Sequence, residues 1–572
     1  MSLLDKVSLC ITPNAYKESK LYSVVPNTTL GDMNVVRATT ATRVNSAGLI
    51  EVVPRNLLTY SEDFTNLAWV KNACTITANA TISPDGTQNA IKLVESTAND
   101  SHHIYQNAVA SGVNTFSFYA KAGERNFVYA YADSVGQGKC FDLQNGTVGA
   151  NIIAAPSNAT ITSVGNGWYR CTITLTIGSA SALRIGACSA NGTFSYLGNG
   201  TSGIFVYGAQ VESFPSATEY FPTTTRLNIP RIDYTNGSCP SLLVEPQRTN
   251  LFLRSEEFDN ASWSKIGSTI IANSIISPSN VLTADKLVED SSTGVHRVSQ
   301  QPTTSSGATF TLSVYAKSGE RNFVQLRDAS LAVGAWFNLS TGVIETVNAG
   351  ITASITAMLN GWYRCTITRT TATADTVFSI QVANATNVNS YTGNGTSGLY
   401  LWGAQLEQGA YPTSYIPTIA STVTRNADIV SNSNLISKGL IVNDYTLFLD
   451  ITNPILGSQY ILDSRDISSV RTGILRVDGT TASVTDIGGG SSLSILSILT
   501  IGKGKMCLKR TGNVISFFAN GVKCVSTTTT TAGTINALAT GVINSTTGSY
   551  INSISLFPLA LTDTECITLT TL

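Results

Sequence analysis

Short runs of alternating apolar and polar residues, bounded by Gly, Asn and Asp, set the pattern of this chain. In NGWYRCTIT, Asn166 to Thr174, an Asn-Gly turn opens a run with Tyr169, Cys171 and Ile173 on one side and Trp168, Arg170 and Thr172 on the other, as successive residues fall across a strand. The run returns at Asn360 to Thr368, with Tyr363, Cys365 and Ile367 against Trp362, Arg364 and Thr366. In FSFYAK, Phe116 and Phe118 answer Leu312 and Val314, an apolar row backed by Tyr119 and Lys121 or by Tyr315 and Lys317. In NFVYAY, Val128 and Ala130 answer Val324 and Leu326; the opposite row reads Phe127, Tyr129, Tyr131 in one copy and Phe323, Gln325, Arg327 in the other. Period-two runs without a long helical period predict half-buried strands.

The matches extend to NLLTYSEDFTNLAWVK at 56–71 against NLFLRSEEFDNASWSK at 250–265, and GNGTSGIFVYGAQVE at 198–212 against GNGTSGLYLWGAQLE at 393–407. The offset holds at about 195 residues, the mark of an internal repeat. Two copies of one domain are expected, 56–225 and 250–419, each a jelly-roll sandwich. Residues 1–55 have no strand repeat long enough for a core and read as an N-terminal arm, either packed on the next domain or anchoring the chain in a larger assembly. Residues 226–249 carry Pro230, Pro240 and Pro246, which disfavour a continuous central strand, and read as an ordered connector. Residues 420–444 read as a second connector. From 445 to 572 strands resume, with reversals at Gly512-Asn513 and Asn520-Gly521. The predicted fold class is all-β: two repeated jelly rolls, then a lectin-like β-sandwich, preceded by an arm.

Charge narrows the function classes. Only 12% of the 572 residues are charged and the net charge is −1, whereas phosphate binding needs clustered cations; nucleic acid is not an expected partner. The most apolar late run, LSILSILTI at 493–501, is too short to span a bilayer, so membrane insertion is not expected. The start lacks the basic and apolar regions of a secretory signal, which points to folding in a cytoplasm. The ten cysteines show no zinc spacing, and Cys171 and Cys365 repeat one core position, so reduced thiols are expected.

Candidate chemistry lies on the outer rows. If the NFVYAY strand neighbours the Trp168 strand, one face gathers Tyr119, Tyr129, Tyr131, Trp168 and Arg170. The second copy offers Tyr315, Gln325, Arg327, Trp362 and Arg364. Aromatic rings with polar edges suit a sugar, whose C–H face stacks while its hydroxyls seek donors and acceptors. Equally, such aromatics cover a sheet beneath a loop or a subunit contact. Acids open each copy at Glu62 and Asp63 or Glu256 and Glu257, and close it at Glu212 or Glu407. If first and last strands meet, these carboxylates offer hard oxygen ligands for Ca²⁺; otherwise they are surface acids or turn caps. His102, His103 and His296 form no triad or metal spacing. GNGTSG reads as a loop, since no helix and Lys follow as phosphate cradling requires. No carboxylate pair at hydrolase separation is legible, so an enzyme is not expected.

The segments NLLTYSEDFTNLAW, YAKAGERNFV, GWYR and GAQVE together resemble a jelly-roll domain of carbohydrate-binding-module type that recurs in bacteriophage virion proteins. LDKVSLCITPNAYKESKLYSVVP, RATTATRVNSAGLIE and PRIDYTNGSCPSLLVEPQRTN resemble phage fibre and virion surface proteins, including those of crAss-like phages. RTGNVISFFANGV and the ISLFPLALTDTE ending are similar to laminin-G or concanavalin-like lectin sandwiches. The resemblance implies a virion structural protein, a head fibre or capsid decoration, that adheres to host or environmental glycans. Its alternatives are a tail fibre or tailspike with glycan-degrading activity and a purely architectural decoration protein. It further implies contact with other virion proteins through the N-terminal region, a homo-oligomer with a trimer as first expectation, and a place on the virion surface after synthesis in the host cytoplasm. In related modules calcium sits where first and last strands meet, which points to Glu62, Glu212, Glu256 and Glu407; Gly208 stands where many relatives carry aspartate.

Overall fold

Alternation along the chain becomes pairing in register. In the computed structural model, Trp168–Ile177 runs antiparallel to Gly112–Ala122 with Cys171 opposite Phe118 and Ile173 opposite Phe116. Trp362–Thr370 runs against Thr309–Ser318 with Cys365 opposite Val314 and Ile367 opposite Leu312. All eight of these residues are buried in the two jelly-roll cores. The structure describes every residue except 1–2, 54–55, 109–111, 179, 213–215, 453–457, 466–470, 479–480, 488–490, 496–502, 525–526, 529–534 and 541–548. The run at 493–501 therefore falls largely outside the described residues.

The two repeats share one topology. In the first, one sheet orders Asn158–Gly165, Trp168–Ile177, Gly112–Ala122, Gly203–Glu212, Ala90–Glu95 and Cys74–Thr81; the other orders Thr147–Ile153, Gln137–Asp142, Phe127–Ala132, Ser181–Cys188, His103–Ala108 and Val70–Asn72. In the second, the corresponding orders are Thr352–Ala357, Trp362–Thr370, Thr309–Ser318, Gly398–Gln408, Leu282–Glu289, Ser268–Ile276 and Val343–Val347, Val333–Asn338, Phe323–Asp328, Phe378–Ala383, His296–Gln300, Ser264–Ile266. They are named below by a residue: the Trp168 and Tyr129 sheets, and the Trp362 and Gln325 sheets. Compact units divide the chain into 54–227, holding the first repeat, and 1–53 with 228–572, holding the rest.

The first 53 residues are not a free-standing arm. Leu9–Ile11 pairs with Ser549–Phe557, Leu9 opposite Leu556, and Met33–Val36 pairs with Ile429–Ser433. Leu9, Ile11, Leu21, Met33 and Val35 are fully buried in the core of the C-terminal sandwich. Strands this short cannot build a core alone, yet they complete sheets whose other strands lie far along the chain. Both connectors behave likewise. Ser241–Val244 lies between Ile232–Asp233 and Ser549–Phe557 in one sheet, because Pro240 and Pro246 flank the strand without interrupting it. Ile429–Ser433 lies in the other sheet, beside Met33–Val36 and Ala537–Thr540.

A buried ion network ties these segments. Arg231 donates to Glu245 at 2.6 Å and to Asp428, Arg37 donates to Asp428 at 2.9 Å, and Arg425 lies 2.7 Å from Glu245. All five side chains are buried. The reversals at Gly512-Asn513 and Asn520-Gly521 fall as expected, with Thr511 opposite Val514 and Ala519 opposite Val522. One α-helix occurs among the described residues, Asp563–Thr570, opened by a capping box between Thr562 and Glu565. It is too short to cross a bilayer.

Candidate functional site

The expected single aromatic face is two faces. Phe127–Ala132 pairs with Gln137–Asp142 and Ser181–Cys188, not with the Trp168 strand. Tyr129 and Tyr131 therefore lie on the outer face of one sheet, and Tyr119, Trp168 and Arg170 on the outer face of the other. Gln325 and Arg327 are likewise parted from Tyr315, Trp362 and Arg364. Local alternation decides which side of a strand a residue takes but not which sheet receives the strand.

On the Trp168 face the tryptophan is not a platform. Trp168 is 1% exposed and its Nε1–H donates to the Ile82 carbonyl at 3.0 Å; Trp362 is 2% exposed and donates to Ile276 at 3.3 Å. Each acceptor immediately precedes a Ser-Pro turn, SPDG at 83–86 or SPSN at 277–280, and the rings pack with Ala90 and Tyr207 or with Ile50, Ala284, Tyr315, Trp402 and Tyr415. A Ser-Pro turn at the same offset in both copies was the available signal. Next along the row stand Arg170 and Arg364. Their guanidiniums lie 5.6 and 5.3 Å from the ring centroids of Tyr119 and Tyr315, a favourable cation–π arrangement. Each Nη2 donates to a serine hydroxyl, Ser117 or Ser313, at 3.0 Å. Arg364 also donates to the Thr413 carbonyl at 2.7 Å. Neither has a carboxylate partner among the described residues, and both Nε–H groups are buried without an acceptor.

The two copies diverge in what covers this face. In the first, Tyr119, Tyr220, Phe205 and Arg170 are half-buried. In the second, the hairpin of Ala41–Val44 and Ile50–Val53 folds over it. Ile50 N–H donates to the Pro278 carbonyl at 3.1 Å, and Thr42 Oγ1–H to that of Tyr415 at 2.5 Å. Ile50 joins Tyr315, Trp362, Trp402 and Tyr415 in one apolar cluster. Beside that cluster a cleft of about 270 Å³ remains, bordered by Tyr315, Arg364, Thr356, Met358, Asp233 and Glu245 among others. Asp233 accepts from the Val44 and Thr235 amides, both at 2.8 Å. Burial raises its carboxyl against those hydrogen bonds. Glu245 accepts from Ser414 N–H and Oγ–H and from two arginines. Burial alone would raise it, but the Arg425 and Arg231 charges prevail and hold it at about 2. All four carboxylate oxygens are thus engaged.

The acids proposed for calcium do not converge on an ion. Glu62 accepts from the Tyr207 hydroxyl at 2.7 Å, whereas Glu212 accepts from Thr218 N–H at 2.9 Å, from its hydroxyl, and from Gln210 at 2.7 Å. In the second copy Glu256 accepts from Trp402 Nε1–H and Tyr415 Oη–H, each at 3.0 Å, and Glu407 from Thr413. These carboxylates face N–H and O–H donors, which a cation would have to displace. Among the described residues no group of three or more His, Cys, Asp or Glu is placed to hold a metal ion. The residues present do not fit calcium.

Other motifs resolve as scaffolding. In GERN, Arg125 clasps Glu95 through Nε and Nη2 at 2.8 and 2.6 Å. Tyr196 and the Asn199 amide of GNGTSG complete that carboxylate's shell. Arg321, Glu289, Tyr391 and Asn394 repeat this arrangement. His102 and His296 are counterparts, each bridging two carbonyls, Ala73 and Tyr196 or Gly267 and Tyr391. All ten cysteines are free thiols.

On the Tyr129 face the predicted aromatics are also covered. Tyr129 is buried with Cys140, Ile152 and Cys188, and Arg184 stacks 5.5 Å from Tyr131 while pairing with Asp133 at 2.5 Å. The matching Gln325 face replaces Tyr129 by a buried glutamine and Tyr131 by a half-exposed arginine.

No family model matches this chain, and no curated protein matches it. Solved structures similar to parts of it include the CBM40 of a Ruminococcus gnavus IT-sialidase bound to α2,3 sialyllactose, at 13% identity over 23% of this chain and 84% of that one, with a TM-score of 0.20. The LG1–3 region of the laminin α2 chain aligns at 10% identity over 79% and 94%, TM-score 0.17. A Trypanosoma rangeli sialidase in complex with the inhibitor DANA aligns at 11% identity over 94% and 97%, TM-score 0.21. Likenesses this distant carry no argument about what the present chain binds or does.

Proposed function

We propose that this chain is a non-enzymatic adhesion protein that binds saccharides on the Tyr119–Arg170 face and at the Tyr315–Arg364 cleft. We propose further that it is displayed on a bacteriophage virion as a head fibre or capsid decoration. The observation that carries the binding reading is the duplicated tyrosine–arginine pair, a guanidinium over a ring with no carboxylate partner among the described residues. In the first copy the half-buried Tyr119 ring sets an apolar surface beside a guanidinium, the combination a sugar ring uses; in the second Tyr315 is 3% exposed and only borders the cleft beside Arg364. Binding is favoured over hydrolysis because Asp233 and Glu245 already hold hydrogen-bond donors on every oxygen, and hydrolysis needs a free pair.

The virion assignment rests on the fibre-like motifs of residues 1–53 and 226–250. Contact with other virion proteins is assigned to the unit containing the N-terminal residues. A homotrimer would add avidity to weak sites. The full chain on an array of neutral and acidic glycans should bind a defined subset. Tyr119→Ala with Tyr315→Ala should weaken binding about tenfold or more, as truncation of aromatic anchors does. Absence of any bound glycan would leave the architectural role. Proteomics and antibody labelling of purified particles test the virion assignment, and light scattering tests the trimer.

A further inference from the structure

The outer face of the Gln325 sheet holds a second set of groups with no work inside the protein. Across its strands Arg297, Gln381, Gln325, Trp336 and Thr346 stand in register. Two residues along, Ser299, Ser379 and Arg327 form the next row. Gln325, Gln381 and Ser379 are 0% exposed. Yet both amide atoms of Gln325, Oε1 of Gln381 and the Ser379 hydroxyl have no hydrogen-bond partner. Native proteins rarely leave buried polar atoms so. The Nε–H groups of Arg297 and Arg327 are also buried without an acceptor, and neither guanidinium has an ion pair among the described residues. The adjacent acid, Asp328, is taken by Arg369 at 2.9 Å and by the Ser330 and Leu331 amides. Burial lowers both guanidiniums, and the charge of Arg297 lowers Arg327 further, with Asp328 opposing it only in part.

In the first repeat the same place is filled by a ring and its arginine is paired, although the Tyr129 hydroxyl and the Arg184 Nε–H are themselves buried without a partner. Tyr129 stands where Gln325 does and fills the space over Gly186, the counterpart of Gln381; a Cβ there would lie 2.3 Å from the ring. Its arginine, Arg184, is neutralised by Asp133. The second repeat lacks both the ring and the acid.

We propose that this face binds the oxyanion of an acidic saccharide, a carboxylate or a sulfate held between Arg297 and Arg327 above Ser379 and Gln381. Two guanidinium forks can each engage a pair of oxygens of either group, planar in a carboxylate and tetrahedral in a sulfate, and the unpaired amides and hydroxyl supply donors and acceptors for neighbouring sugar hydroxyls. The segment 384–390 lies over the row, held by Gln381 Nε2–H to Asn389 O at 2.5 Å and Trp336 Nε1–H to Val388 O at 3.4 Å; ligand hydroxyls would take over the first of these. The site is separate from the Tyr119 and Tyr315 positions, and its test uses different variants.

Full-length protein is titrated with polygalacturonate, dextran sulfate and neutral dextran. One acidic polymer should bind and the neutral one should not bind here, with affinity falling at least tenfold between low and high salt. Whichever polymer binds identifies carboxylate or sulfate. Arg297→Gln and Arg327→Gln should each weaken that binding at least tenfold, while Arg184→Gln in the first repeat should not. Gln325→Leu, which removes the unpaired amide, should raise the melting temperature and weaken binding. The proposal is overturned if neither acidic polymer binds, if the two arginine variants bind like the parent, or if Gln325→Leu lowers the melting temperature.

Discussion

Single side chains on this protein separate two meanings of an outward position. Trp168 and Trp362 alternate to the outer row as their sequence requires, yet are buried, each hydrogen-bonded to the carbonyl that precedes a Ser-Pro turn. Trp168→Ala should therefore cost about 3–5 kcal/mol of stability, read by denaturant unfolding, and so should Trp362→Ala; a loss below about 1 kcal/mol would mean that the rings are not buried. Glu256 gives a pH signature. Burial raises its carboxyl from 4.5 to about 7 despite hydrogen bonds from Tyr415 and Trp402, with Glu257 and Asp285 adding to the rise. Between pH 4.5 and 7 the folded state then holds a proton that the unfolded state has released, so this group's contribution falls as pH rises through that window. Glu256→Gln should flatten the decline and add up to about 3 kcal/mol at pH 8, measured by melting across pH. Unchanged pH dependence would show that Glu256 is ordinarily ionised. These assignments were half legible in the sequence: the facing of Cys171, Ile173, Phe116 and Phe118 followed from period two, whereas the cover over Trp168 came from residues elsewhere in the chain.

Among elements, the hairpin of Ala41–Val44 and Ile50–Val53 makes the copies unequal, leaving a shelf in one and a cleft in the other. Asn45 builds its turn: Oδ1 accepts from the Ala47 and Leu49 amides at 3.0 Å, and Nδ2–H reaches Glu51 at 3.0 Å. Asn45→Ala should cost about 1–2 kcal/mol. It should also raise amide exchange across 41–53 ahead of the rest; uniform exchange would place the hairpin's stability elsewhere. This cover was not legible in the sequence, since RATTATRV carries little apolar signal and its contacts lie in the second repeat. Nor could pattern alone place Phe127–Ala132 in the Tyr129 sheet. What was legible was divergence: Tyr129 against Gln325, and Tyr131 against Arg327, marked one face as chemically different before its neighbours were known.

For the whole molecule, Arg37, Arg231, Glu245, Arg425 and Asp428 join segments from the start, middle and later part of the chain. Asp428→Asn leaves Arg231 and Arg37 buried without their shared anion and should cost about 3–5 kcal/mol, seen in unfolding of the unit 1–53 with 228–572. A change below about 1 kcal/mol would show that the network is dispensable. Glu245, held down at about 2 by Arg425 and Arg231 against the cost of burial, adds stability above pH 4.5 that disappears as pH falls towards 2. The closure of the C-terminal sandwich by its earliest strands also sets a clock. Ser8 bonds to Leu556, 548 positions later, and a ribosome adding about 5–20 residues per second needs roughly 30–110 seconds to cover that span. Throughout that interval the nascent strand Leu9–Ile11 lacks its partner Ser549–Phe557, and both jelly rolls are synthesised before that partner appears. A chain that stops after 419 but short of Ser549–Phe557 would carry both repeats and leave Leu9–Ile11 with an unpaired edge, so synthesis of one late strand decides whether one of the earliest is covered.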